Sequence, residues 1–210
     1  MSEIISLSDP RVAAVPVADC GEPLVDVRAM AALRMDQLVA DVDGSYAQVR
    51  QGVADRLVMA QMLLPRGLRL LVVEGYRRAE EQQRLFEAAV ARLRADRPDG
   101  DDSLRRAAAR HCPPPPLAPH LTGGAVDLTL CTVDGVRLWL GTELHDTGSA
   151  LCTSDADVDR QARANRDLLG SAMRQAGLVN YPAQWWHWSY GDRYWALLTG
   201  APAARYGNHP

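Results

Sequence analysis

Apolar residues recur every three or four positions from Tyr46 onward, at Val49, Val53, Leu57, Ala60 and Leu64, and stop against Pro65 and Gly67. This spacing predicts an amphipathic helix. The following RLLVVEGYR is a short apolar run of the kind that forms a buried strand. From Ala79 to Arg94 the helical period returns, with Leu85, Phe86, Ala89, Val90 and Leu93 on one side and Glu, Gln and Arg elsewhere. Asp96 to Gly100, containing Pro98, closes that helix. AVDLTLCTVDGVRLWL, from Ala125 to Leu140, contains two β-rich runs joined at Asp134-Gly135, a dipeptide suited to a hairpin turn that needs positive φ. Ser154-x-x-Asp157 has the form of a helix start. Leu168, Leu169, Ala172, Met173 and Ala176 then run to Gly177, a natural residue just past a helix end. A last strand is expected from Gln184 to Tyr190. Together these elements predict an α+β fold: one compact domain over residues 1–210, with a mostly antiparallel central sheet flanked by helices. Residues 1–23 read as an N-terminal extension and residues 195–210 as a C-terminal tail.

Composition narrows the function classes. The chain has 210 residues, 47% of them hydrophobic and 23% charged, which suits a single sizeable core. Lys and Arg number 23 against 26 Asp and Glu, so no positive excess exists to neutralise phosphates, and nucleic acid is a poor candidate partner. No apolar run approaches the ~20 residues of a membrane helix. The opening MSEIISLSDPRVAAVPV lacks the basic start and apolar stretch of a secretory signal, which points to a cytoplasmic protein. Cys20, Cys112, Cys131 and Cys152 are widely spaced without a CxxC pair, a pattern that fits reduced thiols.

Two of the five histidines sit in unusual company. His120 precedes Asp127 in PHLTGGAVD, where Gly123 and Gly124 can turn a loop so that imidazole and carboxylate meet. His187 lies in QWWHWSY, among aromatic residues that can build a dry wall. Two imidazoles and a carboxylate are what a catalytic zinc takes while keeping its fourth position for water. From the residues alone, histidines so placed are more often hydrogen-bonded structural residues than metal ligands. His111, His145 and His209 have a weaker claim, His111 and His209 being most simply solvated. If Gln184 to Tyr190 is a strand, period two puts Trp185, His187 and Ser189 on one face and Trp186, Trp188 and Tyr190 on the other. Glu80, Glu81, Arg92 and Arg94 form a solvated helix face.

Three strings, EGYR (74–77), PHLTGGAVDLTL (119–130) and QWWHWSYGDRYWA (184–196), carry a family resemblance. In order and spacing the chain resembles the D-alanyl-D-alanine dipeptidases, the VanX-type zinc peptidases related to the D,D-carboxypeptidases. The resemblance implies a zinc site at the sheet, with His120, Asp127 and His187 as ligands. It implies that Arg77 binds substrate and stabilises charge on the attacked carbonyl, a role that suits a fixed guanidinium in a water-poor site. The alternative for Arg77 is a strand-end ion pair with Glu74 or Glu80. LGTELHDTG is similar to the family's MGTxFD segment, whose Asp meets the substrate's free amino group. Counting one extra residue, Asp146 takes that part, with Glu143 in reserve and a solvated loop acid as the alternative.

Departures from the family pattern matter as much. Gln184 stands where the family has a Glu three residues before the last ligand, and a neutral amide cannot accept a proton from the attacking water. Ala118 replaces the Ser of SxH, removing a hydroxyl that can bind substrate. Arg78 replaces the Pro of GYRP. The expected protein therefore binds zinc and a small dipeptide, D-Ala-D-Ala, but hydrolyses it poorly. Position 184 is either a deliberate inactivation or a natural change of chemistry. The role implied is peptidoglycan precursor or turnover metabolism, including glycopeptide resistance. The alternatives are a noncatalytic small-peptide-binding former peptidase, a D,D-carboxypeptidase, or a dipeptidase for another peptide.

Overall fold

The computed structural model describes residues 4–96, 100–146, 151–154 and 157–209. Among them, helix α1 (Pro10–Ala13), strand β1 (Leu24–Asp26) and strand β2 (Arg34–Met35) come first. Then follow β3 (Gln48–Arg50), α2 (Gln51–Leu63), β4 (Leu68–Glu74), α3 (Ala79–Asp96), α4 (Asp101–Ala108) and β5 (Ala125–Thr132). Helix α5 (Arg160–Gln175), strands β6 (Val179–Asn180) and β7 (His187–Ser189), and helix α6 (Arg193–Thr199) complete the chain. The main sheet has the order β2-β4-β5-β7-β6, antiparallel throughout except for the β2–β4 pair. A separate antiparallel pair joins β1 to β3. This is the α+β architecture with a mostly antiparallel sheet that the pattern predicts.

Helices α2 and α5 supply Val53, Leu57, Ala60, Leu169, Ala172 and Met173 to the main core, against Leu70, Val72, Val126, Leu128 and Leu130 of the sheet. Helices α3 and α4 form a smaller cluster around Phe86, Val90, Leu104 and Ala108. Because Val126, Leu128 and Leu130 face the core, strand alternation sends Asp127 and Thr129 to the opposite face, where the site lies.

Several expectations need correction. The periodic run from Tyr46 does not start a helix there. Residues Ser45–Ala47 form a 3-10 turn, Val49 sits on strand β3, and α2 begins only at Gln51. Val49 is nonetheless fully buried, so the apolar period marked the core and not the helix boundary. Ser154 lies before helix α5, whose first turn is capped by Asp159 accepting from the Ala162 amide at 2.8 Å. The hairpin turn at Asp134-Gly135 forms, with Gly135 at φ 88°. Its return arm pairs only through the Cys131–Arg137 bridge and the amides of Thr132 and Leu138, not as a full strand. The last strand is shorter than expected, since Gln184 to Trp186 precede it in a turn. Helix α4 was not anticipated, and the segment around Pro98 lies outside the described residues.

Both chain ends are tied to the body and to each other. Ala18 and Cys20 donate their amides to the carbonyls of Ala204 and Arg205. Tyr206, with no solvent exposure, donates its hydroxyl to Glu22 at 2.7 Å.

Candidate active site

Three neighbouring strands put one residue each into a row. Asp127 of β5 is in register with His187 of β7 on one side and with Glu74 of β4 on the other. The second pairing depends on a bulge between Val72 and Glu74. Continuing the register of Val72 with Leu128 would set Val73 against Asp127, and the one extra residue carries Glu74 onto the site face instead.

His120 reaches the row from a 3-10 turn, Pro119–Thr122, that ends at Gly123 with φ 66°. Only a residue tolerant of left-handed backbone stops the turn there, and a Cβ would also collide with the Leu24 side chain. Thr122 locks the turn, donating its hydroxyl to the Pro119 carbonyl at 2.7 Å and accepting the Gly124 amide at 2.9 Å. The His120 ring donates Nδ1–H to the Gly75 carbonyl at 2.7 Å, which directs Nε2 inward. Gly75 is itself clamped, its amide donating to the Tyr46 carbonyl at 2.6 Å, and a Cβ there would run into the Gln48 carbonyl oxygen.

The result is a convergent donor set. His120 Nε2 lies 3.3 Å and His187 Nδ1 lies 2.8 Å from the same Asp127 oxygen, Oδ1. All three residues are buried, and these ligand atoms lie within 4.8 Å of one another. Tetrahedral ligation at ~2.0–2.1 Å separates ligand atoms by roughly 3.3 Å, so the three groups fit around one divalent ion with little adjustment. Two imidazole nitrogens converging on one buried carboxylate oxygen form a donor set that suits a divalent cation.

Burial by itself pushes the Asp127 carboxyl up, but hydrogen bonds and charge from His120, His145 and His187 hold it well below the usual range. Arg77 occupies the next position along the cavity wall. Its Nε and Nη2 donate to both oxygens of Glu74 at 2.6 and 2.5 Å, and Nη1 donates to Gln82 Oε1 at 2.6 Å. Burial likewise works to raise the Glu74 carboxyl, and the Arg77 guanidinium overcomes it, leaving the acid below its ordinary value. The ion pair with Glu74 therefore exists. It still leaves one N–H proton on each terminal nitrogen of Arg77 for another acceptor.

A cavity of about 1040 Å³ joins these groups, and Arg77, Ala118, His120, Asp127, Asp146, Gln184 and His187 all border it. The Gln184 side chain donates Nε2–H to the His111 carbonyl at 3.1 Å. Ala118 is buried at the start of the His120 turn, and Asp146 is exposed at the cavity rim. Trp186 borders the cavity together with His187, so the two-face alternation expected of the aromatic run fails ahead of β7, where the backbone is a turn.

Sequence reasoning undervalued three residues. His145 donates or accepts through Nε2 at 2.9 Å from Asp127 Oδ2, the oxygen not shared by His120 and His187. It is the only non-glycine with positive φ among the described residues, at 61°, a conformation His tolerates better than most. Read without a gap, LGTELH sets His145, not Asp146, against the last residue of the MGTxFD pattern. Glu74 and Gln82, which hold Arg77, had no signal beyond their spacing from it. Glu74, Asp127 and His145 also approach a metal-binding geometry. Arg77 already supplies the cation on Glu74, which opposes a second ion there.

A family model described as D-ala-D-ala dipeptidase, of the M15 peptidases, matches residues 34–205 and so spans every residue of this site. The chain belongs to this M15 peptidase family. Within the family, it is 29% identical to a D-alanyl-D-alanine dipeptidase of Synechocystis sp. over 216 residues, covering 87% of each chain. The M15 fold is also similar to that of the LdcB LD-carboxypeptidase, a structure tied to peptidoglycan recognition. That likeness has a TM-score of 0.50 and 17% identity over 90% of this chain and 77% of the other. None of the described helices is long and apolar enough to cross a membrane.

Proposed function

We propose that this peptidase holds zinc through His120, Asp127 and His187 and binds the dipeptide D-Ala-D-Ala in the adjoining cavity, with slow turnover imposed by Gln184. The observation that carries the reading is the convergence of two imidazole nitrogens on one buried carboxylate oxygen, with the outer His120 nitrogen already fixed by a backbone carbonyl. Zinc at this position would polarise the scissile carbonyl and acidify a water. Arg77 turns its two remaining N–H protons toward developing negative charge, and Glu74 and Gln82 keep the guanidinium from rotating away. Asp146, at the rim, is the anchor for the substrate ammonium group, with His145 beside it shaping the same end. Ala118 offers only a methyl group where a hydroxyl would bind substrate. The low-dielectric wall from Trp186 strengthens each of these interactions.

The missing function is proton transfer. A Glu at 184 would have no donor for the His111 carbonyl and would turn its carboxylate away from that oxygen, toward the cavity. Gln184→Glu is therefore expected to raise D-Ala-D-Ala hydrolysis by roughly two to four decades. Hydrolysis is measured for both proteins with zinc quantified in each. Zinc in both preparations with cleavage only by the Glu form supports the reading, and full activity of the chain as it stands refutes the role given to position 184. Failure of both forms to cleave despite bound zinc refutes the substrate.

A second reading, a noncatalytic small-peptide-binding protein derived from a peptidase, draws on the hydrogen bond from the Gln184 amide to His111, which a Glu cannot make. Dipeptide affinity without hydrolysis in the Gln184→Glu form favours it. A cytoplasmic location and a part in peptidoglycan turnover or glycopeptide resistance belong to the dipeptidase reading.

A further inference from the structure

Behind the candidate ligands, three buried polar atoms lie without a hydrogen-bond partner: His187 Nε2, Ser189 Oγ and Asp192 Oδ2. They belong to one short stretch. His187 and Ser189 point to the same side of β7, as residues two apart on a strand must. Gly191 then turns the chain with φ 75°, a position where a Cβ would strike the Tyr206 ring, and Asp192 follows as the N-cap of α6. Asp192 is 1% exposed. One of its oxygens, Oδ1, caps α6 by accepting the Trp195 amide at 2.8 Å, and the other is left over.

Burying a carboxylate oxygen, a hydroxyl and an imidazole nitrogen without partners costs several kcal/mol unless they serve one another. The same groups act on the Asp192 carboxyl. Burial drives it above its ordinary value, while the Ser189 hydroxyl, the Trp195 amide and the His187 and His120 rings act in the opposite direction. Asp192 also lines a second cavity, of about 290 Å³, whose wall includes Ala118, Pro119 and Thr122 of the turn that carries His120. His187 and Ser189 lie outside the lining of that cavity, and the three atoms themselves supply the two to four polar partners that a buried water needs.

We infer that Asp192, with Ser189, is the positioning element for His187, accepting its Nε2–H through an ordered water and so reserving Nδ1 as the metal-binding nitrogen. This inference rests on the metal reading of His120, Asp127 and His187. The two ligand histidines then have matching supports: a backbone carbonyl fixes His120 from one side, and a carboxylate fixes His187 from the other. Both choose which nitrogen faces the ion, and a carboxylate partner also makes the ligating nitrogen a better donor.

Asp192→Asn is the discriminating variant. Asn retains a cap for α6 through its carbonyl oxygen, which turns its NH2 toward the water. The polarity of the relay reverses, His187 Nε2 becomes an acceptor, and the proton moves to Nδ1, where it blocks the metal. The measurements are zinc affinity by chelator competition, the melting temperature of the zinc-free protein, and the solvent exchange of the His187 Nε2–H by nitrogen–proton NMR of the zinc-loaded protein. The expected result is roughly ten- to a hundredfold weaker zinc binding, an unchanged zinc-free melting temperature, and faster solvent exchange of the His187 Nε2–H in the zinc-loaded protein, where that proton has lost its acceptor. Ser189→Ala, which removes no cap, is expected to weaken zinc binding to a smaller degree in the same direction. Should Asp192→Asn fail to fold, Ser189→Ala with the same zinc-affinity and exchange measurements decides. Unchanged affinity and Nε2–H exchange in the folded variants overturn the inference while leaving the metal site standing. A wild-type chain that takes up no zinc overturns the metal reading, and this inference with it.

Discussion

Gly75 shows how much of the site depends on a residue that takes no part in chemistry. Its carbonyl holds the His120 ring, its amide is bound to Tyr46, and the space where a Cβ would go is filled by the Gln48 carbonyl. Gly75→Ala must therefore move one backbone segment or the other, at a cost of about 2–4 kcal/mol, and His120 moves with it. Thermal melting of the zinc-free protein and zinc affinity are both expected to fall. A variant with wild-type values for both would show that the two segments separate freely. At this scale the sequence was legible for His120, Asp127 and His187, whose spacing and neighbours stand out. It was opaque for His145, because nothing in a run such as ELHD announces a left-handed backbone that swings an imidazole back over a strand 18 residues earlier.

Among the elements, the long periodic segments could be read directly. Helices α3 and α5 and strands β4 and β5 have enough apolar repeats for one period to dominate. Strands of two or three residues, such as β2, β6 and β7, are created by the partners beside them and have no period of their own. The bulge in β4 is the hardest case, since a one-residue offset leaves no mark in composition yet decides that Glu74 faces Asp127. It sets two depressed carboxyls in one layer. A carboxyl held below its unfolded value adds stability that is complete above that value and is lost as pH falls through the folded one. Through these two carboxyls the zinc-free protein is expected to lose stability as pH falls below the ordinary Glu and Asp values of 4.5 and 3.8, while His145, which burial lowers but the Asp127 carboxylate raises further, adds stability that is lost as pH rises through neutrality. Glu74→Gln should be less stable at neutral pH, where Arg77 loses its partner, and should lose less on acidification. Melting curves between pH 7 and 3 test this, and parallel curves for the two proteins would count against it.

Over the whole molecule, the two chain ends close on each other through Ala18, Cys20, Glu22, Ala204 and Tyr206, on the side from which Arg50 reaches Asp19, Thr122 and Gly207. Arg50 thus connects the closure of the ends to the turn that carries His120. The row of Glu74, Asp127 and His187 has a kinetic meaning as well. Asp127 and His187 are 60 residues apart in the chain, and the strand pairing that unites them encloses a long loop whose ordering must come before any reward. An ion that needs both residues finds no site in the unfolded chain and only an incomplete one until the sheet closes. Zinc is then expected to leave the folding rate nearly unchanged and to slow unfolding, as an interaction absent from the transition state does. Stopped-flow refolding and unfolding with and without zinc read the two rates separately, and acceleration of folding would place the assembly of the site earlier. On the zinc reading, the metal is expected to act as a late latch, so that the persistence of the folded chain would follow how much zinc its surroundings supply.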